Sequence, residues 1–204
     1  MICRMKGDAR REAEKRLHRC CFMGHEPDRL GAPEKEVRAW LSARVDDAVA
    51  DGYRTFICSC SIGVGIWAGQ TVLRKREEGI PVRLICAVPW PGFPDRWTAF
   101  WQLQYRYLLE QADYVRQVSG AFHKGVFRER NEWMVNHSSR LIAWYNDFAG
   151  GTWDTIEYAV RNRVEVVSRR PEFVEEFREA LEQEKRENPG MRQAGRAQER
   201  QSRG

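Results

Sequence analysis

The sequence predicts an α/β protein: a Rossmann-like, mostly parallel sheet with helices on both faces, built as a single domain. Three observations lead there. Short apolar runs rich in Val, Ile, Phe and Cys alternate with longer segments whose apolar residues recur every three or four positions. The run "VRLICAV" (82–88) is apolar almost throughout, as expected of a strand covered on both faces. Glycines gather where a strand would hand over to a helix, at Gly63 and Gly65 and again at Gly150 and Gly151.

Taken in order, "RCCFMG" (19–24) reads as the first strand and is followed by a polar loop. Pro33 with Glu34 and Glu36 then starts a helix, because acids in the first turn complement the macrodipole. Val37, Trp40, Leu41, Val45 and Val49 mark its buried stripe, and Gly52 ends it. A second strand covers 53–59 and a second helix runs from Gly63 to about Glu78. The third strand, 82–88, is broken off by Pro89, Pro91, Gly92 and Pro94, after which an aromatic-rich helix reaches about Gln111. "DYVRQVS" (113–119) is a weaker fourth strand. A helix near 128–136 leads to the strand "RLIAWY" (140–145), a glycine turn, a helix over about 152–161, and a last strand at "VEVVS" (164–168). The chain thus divides into a basic N-terminal extension (1–18), the Rossmann-like domain (19–170), a polar C-terminal helix (171–187) and a disordered basic tail (188–204).

Composition narrows the function classes. Among 204 residues, 42% are hydrophobic and 31% charged, no apolar run is long enough to span a bilayer, and the charged start lacks the apolar segment of a signal peptide. A cytoplasmic protein without a membrane partner is expected. The six cysteines form no CxxC pair and no metal-like spacing with the four histidines; Cys20, Cys21, Cys58, Cys60 and Cys86 lie in or beside strand-like runs and read as small core hydrophobes, with no metal site and no required cofactor. The net charge of +5 is carried by the ends: the first twenty residues hold seven basic and three acidic side chains, the last seventeen hold four and one, and the stretch between is slightly acidic. Nucleic acid is therefore not expected as a partner of the folded part.

Gly63-Val-Gly65-Ile-Trp-Ala68 fits the G-x-G-x-x-[G/A] pattern in a strand-to-helix setting. A glycine there lets backbone amides approach an anion, and the helix N-terminus adds unpaired donors. Two features argue against an ordinary NAD site: the pattern follows the second strand rather than the first, and no acid ends the next strand to hold a ribose. The turn "DFAGGTWDTIEYA" (147–159) repeats the arrangement, with Thr152 placed to cap its helix or bond a phosphate. Two such turns at one edge of a parallel sheet suggest a shared anion site. Trp90, Phe93 and Trp97 either face the core or stack on a base. His25 is either a ligand contact or a loop histidine, and His123 and His137 carry no role.

At these residues the chain resembles the YpsA-like family of the SLOG superfamily, Rossmann-like domains relating to the LOG phosphoribohydrolases and the DNA-processing protein DprA. The family's Thr-Gly-His-Arg-Pro motif is matched by Met23-Gly24-His25-Glu26-Pro27, and its Ser-Gly signature with a spaced glycine and Trp-Ala-Ala-Glu by Ser59-Cys60, Gly63, Gly65 and Trp67-Ala68-Gly69-Gln70. Its Arg-Asn-x-x-Met-Val-Asp-x-Ser-Asp motif is matched by Arg130-Asn131 through Ser139, and its Gly-Gly-Thr turn by Gly150-Gly151-Thr152. The resemblance covers about residues 19–168. It implies a pocket for a small-molecule nucleotide derivative contacted by Gly24, His25, Ser59, Gly63, Gly65, Arg130, Asn131, Gly150, Gly151 and Thr152, and a homodimer.

Several family acids are neutral here, at Gly65, Gln70, Asn136 and Ser139, while the glycines remain. Cleavage of an N-glycosidic bond normally needs a carboxylate. The leading expectation is therefore nucleotide binding as a non-catalytic sensor or regulatory protein. A phosphoribohydrolase using Glu157 and Asp154 is the alternative, and DprA-like single-stranded DNA binding through the basic ends is the second.

Overall fold

The computed structural model describes residues 11–146 and 149–187. The basic tail and the start of the N-terminal extension lie outside those residues. Residues 11–16 are helical (α1). The sheet domain then runs β1 (Arg19–Gly24), α2 (Glu34–Ala50), β2 (Thr55–Cys58), α3 (Val64–Glu77), β3 (Arg83–Val88), α4 (Ala99–Gln111), β4 (Tyr114–Gln117), α5 (Val126–Asn136), β5 (Arg140–Trp144), α6 (Gly151–Arg161) and β6 (Glu165–Ser168). A short 3-10 turn, Pro27–Arg29, stands where the sequence suggested a plain loop. The division of the chain falls after Arg169, and the second unit holds α7 (Pro171–Glu187). Among the described residues no helix is long and apolar enough to cross a membrane.

All six strands are parallel, in the order β4-β3-β2-β1-β5-β6. The chain starts at β1, steps outward to β4, then crosses back to β5 on the other side of β1. That reversal makes β1 and β5 the switch point, where the loops leaving the two strands diverge and a crevice opens outside their carboxyl ends. Helices α2, α3 and α4 pack in sequence, and α5 packs on α6.

Alternation sorts the strand residues between two cores. Cys20, Phe22, Phe56, Cys58, Leu84, Cys86, Ile142 and Trp144 join Val37, Leu41 and Val45 of α2 and most of α3 in one buried cluster. Their neighbours Cys21, Ile57, Ala87, Leu141 and Ala143 are equally buried and fall on the opposite face. Strand β4 is exposed along its length, which is why its sequence pattern is weak: an edge strand has only one neighbour and less to bury.

Candidate functional site

At the carboxyl edge, a cavity of about 840 Å³ opens between the loops after β1, β2, β3, β4 and β5 and the start of α5. Parallel strands deliver all these loops to one rim, so residues far apart in sequence meet there. Of the residues anticipated as ligand contacts, Gly24, His25, Arg130, Asn131, Gly150, Gly151 and Thr152 line this cavity. Ser59, Gly63 and Gly65 do not.

The two glycine turns have divided their roles. At α3, Gly63 holds φ +80°, and a methyl group on it would stand 2.7 Å from the His25 carbonyl oxygen and 3.0 Å from the Pro27 ring. The loop after β1 is packed directly onto this turn. Val64 N–H donates to the His25 carbonyl at 3.3 Å and Ile66 N–H to the Ser61 carbonyl at 2.9 Å. Two donors of this helix start, the Val64 and Ile66 N–H groups, are thus engaged inside the protein. Gly65 exists for packing, since a Cβ there would lie 2.4 Å from Ser59 Oγ. Gly24 is pressed by the Val64 side chain in the same way.

The turn before α6 is open. Gly150 (φ +130°) and Gly151 have nothing within 4 Å of where a side chain would begin. The helix starts at Gly151, whose first N–H groups have no partner inside the helix. Thr152 does not cap it. Its hydroxyl turns instead to His25 Nδ1 at 3.4 Å, joining the β1 loop to the first turn of α6. Burial, then Arg29, hold the His25 imidazole below its ordinary pKa.

Arg130 is the centre of the site's electrostatics. The side chain is 3% exposed and reaches from α5 to the end of β2, donating to the Ser59 carbonyl at 3.1 Å and Ser61 Oγ at 2.9 Å. Its other nitrogens donate to Asn131 Oδ1 at 3.1 and 3.0 Å. Asn131 in turn donates to Thr155 Oγ1, and Thr155 to the Gly151 carbonyl, so one hydrogen-bonded chain ties α5 to the start of α6. Phe127 and Phe93 flank the guanidinium at 5.5 and 5.9 Å. Among the described residues no carboxylate forms an ion pair with it, and burial lowers its pKa to about 10. A buried cation without a counter-charge is costly, and an anion beside it would offset that cost.

Aromatic rings form the opposite wall. Trp90 meets Phe93, Phe122 and Phe127 edge-on at 5.1–5.4 Å, and Phe93 meets Trp97 at 4.7 Å. The rings pack on one another, Phe93 and Trp97 pack against the core, and Trp90, Phe93 and Trp97 also line the cavity. Phe122, Phe127, Arg29, Arg96 and Ser61 were not singled out from sequence. For Phe122 the signal lies in topology, since the loop after the edge strand β4 joins the site only once that strand is known to run parallel.

Asp154 and Glu157 do not line this cavity. They line an adjoining groove of about 520 Å³ beside α5 and α6, with Arg128, Tyr158 and Arg161, and the groove shares Phe127, Asn131 and Gly151 with the cavity. Among the described residues the carboxylates of the main cavity are Glu26 and Asp95, both exposed. The cysteine reading also missed a cluster: Cys58, Cys60 and Cys86 are fully buried with their sulfurs within 4.8 Å of one another. Hydrogen bonds from the Cys60 and Cys86 thiols hold Cys58 well below the usual thiol pKa, whereas burial pushes Cys60 up. Cys60 has φ +53°, a left-handed conformation costing a side-chain-bearing residue about 1–2 kcal/mol.

This architecture, with a ligand-sized cavity at the switch point of a parallel sheet, defines a Rossmann-like domain of the SLOG type. The chain belongs to the YpsA family: residues 21–169 match the family described as the YspA SLOG family. It is 24% identical over 131 residues to a UPF0398 protein of Bacillus pumilus (strain SAFR-032), covering 60% of this chain and 70% of the relative. A UPF0398 protein of Bacillus cereus (strain G9842) is 22% identical over 175 residues, 81% of this chain and 95% of that one. Among solved structures, DNA processing protein A from Helicobacter pylori, described for its single-stranded DNA binding mode, superposes with a TM-score of 0.55 at 14% identity, covering 78% of this chain and 67% of that chain. DprA from Streptococcus pneumoniae gives 0.52 at 12% identity, covering 74% and 50%, so this chain spans half the length of that protein.

The expectation that nucleic acid is not a partner does not stand. It rested on net charge, whereas the fold is shared with DprA proteins, one of them described for binding single-stranded DNA. Charge summed along a chain is blind to convergence: Arg29, Arg96 and Arg130 meet at one cavity in a domain whose total is slightly acidic.

Proposed function

We propose that the cavity binds a phosphate-bearing nucleotide derivative and that the protein works through that binding as a sensor or regulatory module. The observation that carries this reading is Arg130, a buried guanidinium that pairs with no carboxylate among the described residues, in a cavity also lined by the open Gly150-Gly151-Thr152 turn. Phosphate would meet Arg130, Asn131 and the α6 amides, and a base would lie against Trp90 or Phe93. Binding is favoured over N-glycoside cleavage because, among the described residues, the cavity's own carboxylates, Glu26 and Asp95, are exposed, and Asp154 and Glu157 line the adjoining groove rather than the cavity itself.

The test is thermal denaturation of the full chain with AMP, ATP, NAD and ADP-ribose, beside the Arg130→Gln variant. A ligand at about 100 times its Kd adds about 2.7 kcal/mol of stability, a rise of several degrees. At least one probe is expected to give it with the wild type, and Arg130→Gln to weaken that probe by about tenfold or more. No shift from any of the four rejects the reading.

A second reading has its own observation: Arg29 and Arg96 join Arg130 along an aromatic-walled cavity, which suits one nucleotide of a single strand. Stabilisation by a short single-stranded oligonucleotide, with none from the four mononucleotide probes, would put this reading first.

A further inference from the structure

The nucleotide reading leaves the three buried thiols unused. Cys58 ends β2, and Cys86 is its register partner on β3, so the two side chains stand side by side on one face. Their sulfurs are 3.8 Å apart. Cys60 follows two residues later, and the left-handed turn at φ +53° brings its sulfur to 3.4 Å from that of Cys58. Gly69 of α3 makes the room: a methyl group there would stand 3.2 Å from Cys58 Sγ.

Filling the core explains Cys58 and Cys86, because a reduced cysteine is a small hydrophobe. It does not explain why a strained backbone places a third sulfur against them. Metal geometry does. Three sulfurs each about 2.3 Å from a shared ion, in a plane with it, lie about 4.0 Å from one another. The separations of 3.4 and 3.8 Å lie within about 0.6 Å of that figure, and all three sulfurs are within 4.8 Å of one another.

The donor set narrows the ion. Among the described residues no histidine, aspartate or glutamate joins the three thiols, so the ligands are all soft and number three. Calcium and magnesium need oxygen, and zinc would lack a fourth ligand. Monovalent copper suits soft thiolate donors. Arg130, bonded to the carbonyl of Ser59 between two of the cysteines, supplies a positive charge beside the thiolates. Ser61, the residue after Cys60, lines the cavity, so the cluster lies one residue from it along the chain.

We propose that Cys58, Cys60 and Cys86 form a three-coordinate, all-thiolate site for a soft metal ion, with Cu(I) as its occupant. On binding, three thiols release their protons to solvent and three sulfur–copper bonds form. The ion keeps its oxidation state and no electron moves. The proposal shares Arg130 with the nucleotide reading but rests on the geometry of the three sulfurs, so copper uptake and nucleotide stabilisation are read separately.

The full chain, kept reduced and free of oxygen, is titrated with Cu(I) in competition with a coloured Cu(I) chelator. One ion per chain should be withdrawn, X-ray absorption should show three sulfur neighbours at about 2.3 Å, and copper should raise the melting temperature. Cys60→Gly removes one ligand and relieves the left-handed backbone, so this variant should fold at least as stably as the wild type while binding copper at least about tenfold more weakly, since even outer-shell changes cost about 10–100-fold. Cys21→Ala, a buried thiol on the opposite face, should keep copper uptake. No withdrawal by the reduced wild type, undiminished affinity in Cys60→Gly, or fewer than three sulfurs overturns the proposal. Preferential uptake of zinc with an oxygen or nitrogen neighbour overturns it too.

Discussion

At the scale of single residues, the two glycine turns make opposite demands on their glycines. Gly63 combines a left-handed backbone with a carbonyl pressed against it, so Gly63→Ala is expected to cost about 2 kcal/mol or more and to lower the melting temperature by several degrees. Gly150→Ala meets only the backbone cost, because open space surrounds it. Thermal melts of the two variants should therefore differ, with Gly63→Ala the less stable; equal melts would mean that the packing of the β1 loop is unimportant. His25 adds a pH dependence. Its folded pKa lies below the ordinary value of about 6.5, so the unfolded chain takes up the proton first as the solution is acidified. The contribution is complete above about pH 6.5 and is lost as pH falls toward the folded pKa. Urea unfolding between pH 7.5 and 5.5 should show a steeper loss of stability for the wild type than for His25→Gln, and parallel slopes would exclude His25 as the source.

Among the elements, α5 and α6 are joined by the chain from Arg130 through Asn131 and Thr155 to the Gly151 carbonyl. Asn131→Ala breaks that chain at its middle and leaves buried partners unbonded, an expected cost of about 1–3 kcal/mol in chemical denaturation. The same variant should weaken whichever nucleotide probe binds, because Arg130 loses its orienting acceptor. A loss of stability with intact binding would separate the two roles. The elements themselves were largely legible: strand-forming runs and helical stripes are local signals, and β1 and the helix after it lie where the sequence placed them. The occupation of the α3 start was not legible. It depends on a carbonyl of His25 arriving from a loop nearly forty positions away, and nothing in the pattern from Gly63 to Ala68 encodes that arrival. The cysteine cluster was hidden for the same reason, since the pairing of Cys58 with Cys86 is a matter of strand register.

For the molecule as a whole, the strand order sets a gradient of protection. Strands β1, β2 and β5 are central and buried on both faces, whereas β4 is an exposed edge. Hydrogen exchange should accordingly be slowest at Cys21, Phe22, Ile57 and Ile142 and much faster along Tyr114–Gln117; similar rates in both groups would argue against this order. The switch point also explains why residues from four loops could be assigned to one place before their distances were known: a parallel sheet gathers its loops at one rim, and only their mutual packing waits on the coordinates. That packing has a consequence for how a bound molecule would be felt. His25 faces the cavity with its ring while its carbonyl grips the first amide of α3. A tug on the imidazole is therefore geared to the helix on the other side of the loop, and a small displacement at the mouth would be passed on to α3 as a push on its leading turn.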